Sequence, residues 1–300
     1  MYGILASNTL WATHFQFLND TQEFRAAQNS LEAFVRGRML ARLVALKINK
    51  KIEVKEGVVL RDLADGEAKK IVKIFYDVIF SHVEPFVLSA FLCSKSDERH
   101  FRDGNLQHWA TYGRGAGFAL QIDPTRLSEL FRKETERYAH GGFFGGPVEY
   151  VEDDRSPRGM QEEYATLASV ALQLMESLLD DEAPKPEIEK SFLPFNRANA
   201  FIKNSYFSHE REGRIAFYRH KSVPEKKKSH PIHILAKGAH GIPYIHLFDG
   251  ELLGPESPIE RIIVGPHPEN ARRRLALESY LTSKKWNIEV SESKIPYLVR

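Results

Sequence analysis

The stretch REGRIAFYRH, residues 211–220, decides the fold class. Its second half is rich in the β-branched and aromatic residues that suit a pleated surface, and charged residues bound it at both ends. HPIHILAK (230–237), YIHLF (244–248) and IERIIVGP (259–266) follow in the same style, so the last third of the chain reads as a run of strands. Working outward, a helix spans Pro268 to Lys284, and WNIEV (286–290) and KIPYLV (294–299) read as terminal strands. Towards the N-terminus the pattern becomes helical. Residues 20–47 carry Phe24, Leu31, Phe34, Val35, Leu40, Leu43 and Val44 near i, i+3, i+4, i+7 spacing, and Asp20 with Glu23 forms a capping box. Residues 66–82 and 158–181 repeat the helical pattern, and APKP (183–186) reads as a linker or helix stop.

Between these helices lie PFVLSAFLCS (85–94), read as a buried strand, a short aromatic helix in NLQHWATYG (105–113), and a strand in GFALQID (117–123). GPVEYVED (146–153) reads as a strand after a GGFFGG loop (141–146). No repeat of solenoid length is visible. The sum is an α+β class: a single domain over residues 1–300 with a split mixed/antiparallel sheet flanked by helices.

A chain of 300 residues with 42% hydrophobic and 27% charged residues can bury a large core. Lys and Arg total 42 against 40 Asp and Glu, leaving +2, so no overall field draws a polyanion. A nucleic-acid partner would need a local patch; Lys226–Lys228 and Arg272–Arg274 are the candidates, although such runs are usually solvated faces. The single cysteine, Cys93, excludes an intramolecular disulfide and any multi-thiolate metal site, which suits a reducing cytoplasm, and its simplest reading is a buried apolar residue. Lys73, Asp77 and Glu84 break the apolar runs well short of a membrane span, and the first nineteen residues lack the basic start of a signal peptide. A cytoplasmic protein without membrane contact is expected.

Several chemical motifs fail. The glycines of YGRGAGF (112–118) lead into a strand, whereas a dinucleotide fingerprint opens a helix. His230 and His233 stand on a strand-like segment where such spacing points to opposite faces, and IEVK (52–55) is a chance match to a nuclease site in so charged a stretch. No metal is expected.

Three segments together carry more information: TLWATHFQFLNDTQEF (9–24), residues 87–123, and IKNSYFSHEREGRIAF (202–217). They resemble the bacterial family of unknown function DUF2971, at Leu10, Trp11, Asn19, Asp20, Glu23, Ser89, Trp109, Tyr112, Gly117, Phe118, Lys203, Glu210, Glu212 and Arg214, and at Ser293, Ile295, Pro296 and Tyr297 near the end. The resemblance also implies that a first strand with a YHYT-like motif is missing before the helix that ends at Ile4 and Leu5. The motif order is similar, more distantly, to that of the ADP-ribosyltransferase superfamily. That likeness implies NAD as a candidate substrate, Glu212, Glu210 and Ser89 as catalytic residues, and Asn19, Asp20, Trp109, Tyr112 and Arg214 as nucleotide contacts. It implies a toxin or anti-phage effector, with a protein or nucleic acid as acceptor. Cleaving the nicotinamide bond passes through an oxocarbenium-like cation that a fixed carboxylate stabilises, and Glu210 and Glu212 would share one face of a strand.

Structural readings accompany each assignment. Asp20 and Glu23 serve as helix caps, Ser89 as a hydroxyl bonded to backbone, Glu210, Glu212 and Arg214 as a surface ion-pair ladder, and Trp109 and Tyr112 as core residues one helical turn apart. The alternative functions are a nucleic-acid-binding or nuclease effector and a non-catalytic interaction protein.

Overall fold

The computed structural model describes the chain except for residues 19–22, 114–116, 153, 154, 156, 181, 223–226, 238, 239, 255 and 297–300. Its helices are α1 (Tyr2–Ser7), α2 (Glu23–Ile48), α3 (Leu60–His82), α4 (Glu98–Asp103), α5 (Leu106–Thr111), α6 (Pro124–Arg137), α7 (Gln161–Leu179), α8 (Phe192–Phe201) and α9 (Asn270–Ser283). The strands are β1 (Leu10–His14), β2 (Val83–Phe91), β3 (Phe118–Ile122), β4 (His140–Pro147), β5 (Glu149–Val151), β6 (Ile202–Asn204), β7 (Glu212–His220), β8 (His233–Lys237), β9 (His240–Leu247), β10 (Ile259–Val264) and β11 (Glu289–Glu292). The fold is α+β.

Six strands form an antiparallel sheet in the order β4-β7-β2-β1-β9-β8. A separate three-stranded sheet, β11-β10-β3, mixes parallel and antiparallel pairing, and β5 pairs with β6 in parallel. The split sheet is therefore real, and the large sheet is the middle layer of three. Along β7 the alternation read from 211–220 has its consequence. Ala216 and Tyr218 face a core shared with α2, α3, α7 and α8, while Ile215 and Phe217 face a second core built with α6, α9 and the small sheet. Being buried on both faces, this strand reads as a nearly continuous apolar run. Helix α2 supplies Leu31, Val35, Met39 and Leu43, a four-residue repeat that keeps one stripe on the core, and Val44 falls outside it at 39% exposed. Asp123 and Pro124 end β3 and start α6 at once: the Asp123 carboxylate accepts from the amides of Thr125 and Arg126 at 2.7 and 3.2 Å, and Pro124 takes the first helical turn.

The GGFFGG segment is a strand, not a loop. Phe143 packs into the second core and Phe144 against the first, so the alternation of a half-buried edge strand is present but hidden by its glycines. KIPYLV forms no strand over Lys294–Pro296, and the remainder lies outside the described residues. Strand β2 starts at Val83, directly after α3, with Pro85 inside it, and its buried part ends at Val87.

Candidate functional site

The site forms where the C-terminal end of β2 lies beside the N-terminal start of β7. Antiparallel register sets Ser89 opposite Arg214 and Phe91 opposite Glu212, so two segments 123 positions apart meet at one corner of the sheet. Because Glu212, Arg214, Ala216 and Tyr218 alternate onto the helical face, the apolar core stops at Ala216 and charge begins at Arg214.

Ser89 donates its hydroxyl to Glu212 Oε1 at 2.6 Å. Arg214 grips the same carboxylate with both prongs of its fork, Nε to Oε1 at 2.7 Å and Nη2 to Oε2 at 3.0 Å, and Lys203 Nζ from β6 reaches Oε2 at 3.0 Å. The Glu212 amide donates to the Tyr150 hydroxyl at 2.8 Å, and Arg214 Nη1 donates to the Ala200 carbonyl at 3.0 Å at the end of α8. Glu212, Arg214 and Lys203 are 6%, 2% and 4% exposed, whereas Ser89 is open to solvent. Burial by itself pushes the Glu212 carboxyl up, but the bonds and charges of Arg214, Ser89 and Lys203 outweigh it and hold the pKa at about 2. The carboxylate is ionised at neutral pH.

Glu210 is not on the strand. It ends a 3-10 turn (Ser205–Glu210), and Arg211, at φ 45° in the left-handed region, swings the chain into β7. The two carboxylates thus reach one place by different routes. Lys203 bridges them, donating to Glu210 Oε2 at 2.7 Å, and Tyr112 donates to Glu210 Oε1 at 2.8 Å. Burial, followed by the Glu210 carboxylate, holds the Tyr112 phenol well above its ordinary pKa and therefore protonated. Glu212 and Arg214 are no surface ladder either: they are a buried, cross-braced pair.

Trp109 stands apart from this group. It is 5% exposed, donates its indole N–H to the Asp103 carbonyl at 2.9 Å, and lies against Gly104, Gly113 and Gly265, so it is a core residue and offers no ring face to a nucleotide. Tyr112 is 49% exposed beside Glu210. Asn19, Asp20 and the Glu23 side chain lie outside the described residues, as does Tyr297; Ser293 is buried and donates to the Asp103 carbonyl. Cys93 is half-buried, and burial raises its pKa.

Sequence reading alone left two members without a role. Lys203 appeared only as a family position, and Tyr150 was not singled out; both act through strands β5 and β6, whose parallel pairing of Tyr150 with Lys203 brings them to Glu212. Two cavities, of about 350 and 580 Å³, are lined by other residues: the first over the small sheet near Gln121 and Arg261, the second along β4, whose Gly146 lies opposite Arg214. Among the described residues, no group of three His, Cys, Asp or Glu is placed to hold a metal ion. No protein-family model, no curated protein and no solved structure matches this chain.

Proposed function

We propose that the chain binds NAD or a related nucleotide at the Ser89–Glu212 corner and transfers or hydrolyses its ADP-ribosyl group. The observation that carries this reading is the contact of a solvent-open Ser89 hydroxyl with a buried, ionised Glu212 carboxylate. In such a reaction the bond between C1′ and the nicotinamide nitrogen breaks, and nicotinamide leaves with the electron pair. An acceptor or water adds to C1′ and gives up a proton. Glu212 would face the developing cation, with its charge held in place by Arg214 and Lys203. Of the three side chains described as bonded to the Glu212 carboxylate, Ser89 is the exposed one, so it is the bond a ribose hydroxyl would replace or join.

The test is nicotinamide release from NAD, with Ser89→Ala as the variant. Because water can take the place of an exposed hydroxyl, this variant keeps its melting temperature, and the reading expects kcat to fall by about tenfold or more. Absence of nicotinamide release together with absence of calorimetric NAD binding at millimolar concentration would sink it.

One observation favours a second, non-catalytic reading. The Glu212 carboxylate already takes four hydrogen bonds from three side chains, the pattern of a structural lock. On that reading Ser89→Ala changes no activity, and the protein works through a surface. The nucleic-acid reading draws less support, since Arg272, Arg273 and Arg274 bond to Glu269, to the Gly117 and Gly265 carbonyls, and to Glu278.

A further inference from the structure

Four rings share one face of the large sheet where it ends at β8. Trp11 on β1 opposes His246 on β9, and Tyr244, two residues before His246, opposes His233 on β8, so the pleat puts all four on the same side. His233 and His246 lie face to face, with 4.2 Å between ring centres and 18° between planes, while Trp11 is 6.0 Å from His246 and 4.8 Å from Tyr244. Strand β8 is an edge of the sheet, and its hold is slight. Ile234 at 63%, Leu235 at 43% and Ala236 are exposed, which leaves His233 as the partly buried side chain of the stretch 233–236. The opposite edge is anchored differently, since Phe143 and Phe144 of β4 pack into the two cores. A strand with so few buried contacts opens at low cost, without the rest of the fold.

Neutral imidazoles stack well, and a single imidazolium is favourable beside the rings of Trp11 and Tyr244. Two imidazolium rings face to face at 4.2 Å repel, because the stacked faces leave no water between them to screen the charges. The surroundings of His246 raise that cost. An imidazolium carries N–H on both nitrogens, yet His246 Nε2 is buried and meets no hydrogen-bond partner among the described residues. Burial first, and then His233, lowers the His246 pKa; Asp249 opposes the shift and His230 adds to it. The folded chain thus favours the neutral ring, so this contribution is complete above the ordinary histidine pKa of 6.5 and is lost as pH falls below it.

We propose that the stacked His233–His246 pair is an acid-sensitive clasp on β8: with one proton or none the rings hold the strand, and when both are charged β8 parts from β9 while the rest of the sheet stays folded. Release leaves the β9 edge open to pairing with another strand. The clasp is independent of the Ser89–Glu212 corner, and its test involves no nucleotide.

The test is amide hydrogen exchange of the full chain at neutral and mildly acidic pH, about 7.5 and about 5, expressed as protection factors so that the intrinsic pH dependence of exchange drops out. Amides bonded between β8 and β9 should lose about tenfold or more of their protection, since each pH unit below the ordinary pKa favours the open, doubly charged pair by about tenfold. Ile262 and Ile263 of β10, in the other sheet, are the reference and should change far less. His246→Phe and His233→Phe each keep a flat ring in the stack and cannot place two charges there, so the loss in acid should shrink to about twofold or less. Unchanged protection of β8 in acid, a loss as large in β10, or a loss that persists in either variant overturns the proposal.

Discussion

Among the described residues, two places bury a glutamate, and they treat it differently. At the β2–β7 corner Glu212 accepts bonds from Ser89, Lys203 and both prongs of Arg214. On α6, Glu134 is 1% exposed with its Oε1 3.2 Å from His230 Nε2, yet neither atom makes an aligned hydrogen bond, and His230 is instead packed by rings, Tyr138 stacked at 3.7 Å and Phe217 edge-on at 4.6 Å. Closeness is not satisfaction. A buried charge is stabilised when every lone pair has a directed donor, and a merely neighbouring partner leaves part of the desolvation cost unmet. The first region is accordingly a fixed electrostatic feature, and the second an aromatic packing site that happens to contain ionisable groups.

The largest expected effect breaks the first region. Arg214→Met removes the fork and leaves Glu212 buried with too few donors, so unfolding free energy should drop by about 3–5 kcal/mol in urea denaturation. Glu212→Gln should cost a similar amount, because it strands Lys203 and Arg214. A loss under about 1 kcal/mol in either variant would mean that water already reaches the pair.

Acid sharpens the same contrast. The folded pKa of Glu212 lies at about 2 against an ordinary 4.5, so its contribution to stability is complete above 4.5 and is lost as pH falls through 2. That difference is worth about 3 kcal/mol. Urea midpoints of the wild type should fall across this window more steeply than those of Glu212→Gln. Parallel curves would contradict the depressed pKa.

At the second region the double variant Glu134→Leu, His230→Phe replaces the poorly aligned pair with apolar groups among rings. Stability should stay within about 1 kcal/mol of wild type or rise. A fall of several kcal/mol would show that the pair is bonded better than its geometry indicates. The smallest effect is expected for Tyr112→Phe, which removes one exposed bond to Glu210 and should cost about 0.5 kcal/mol or less by the same denaturation assay.

Much of the architecture was legible from local pattern. Helix α2 followed from a repeat of apolar residues, and β7, β8, β9 and β10 from runs rich in Ile, Leu, Phe and Tyr. Strand β4 was not, because four of its eight residues are glycine and composition there speaks for a turn; only pairing with β7 makes it a strand. Glu210 was misplaced for a related reason. An alternating Glu-Arg-Glu-Gly-Arg looks like continuous strand, and nothing local announces that Arg211 takes a left-handed turn.

The amino-acid sequence by itself determined the α+β class, the helical stripes, the strand runs and the residue types available for chemistry, since these depend on neighbours within a few positions. Tertiary structure alone decided that Ser89, Lys203, Tyr150, Glu212 and Arg214 share one corner, and that Trp109 does not. It also decided that Glu212 is buried and ionised while Ser89 stays open. The reason is physical. Burial and charge pairing are properties of the volume around a side chain, and that volume is filled by strands distant in the chain whose register no local pattern specifies.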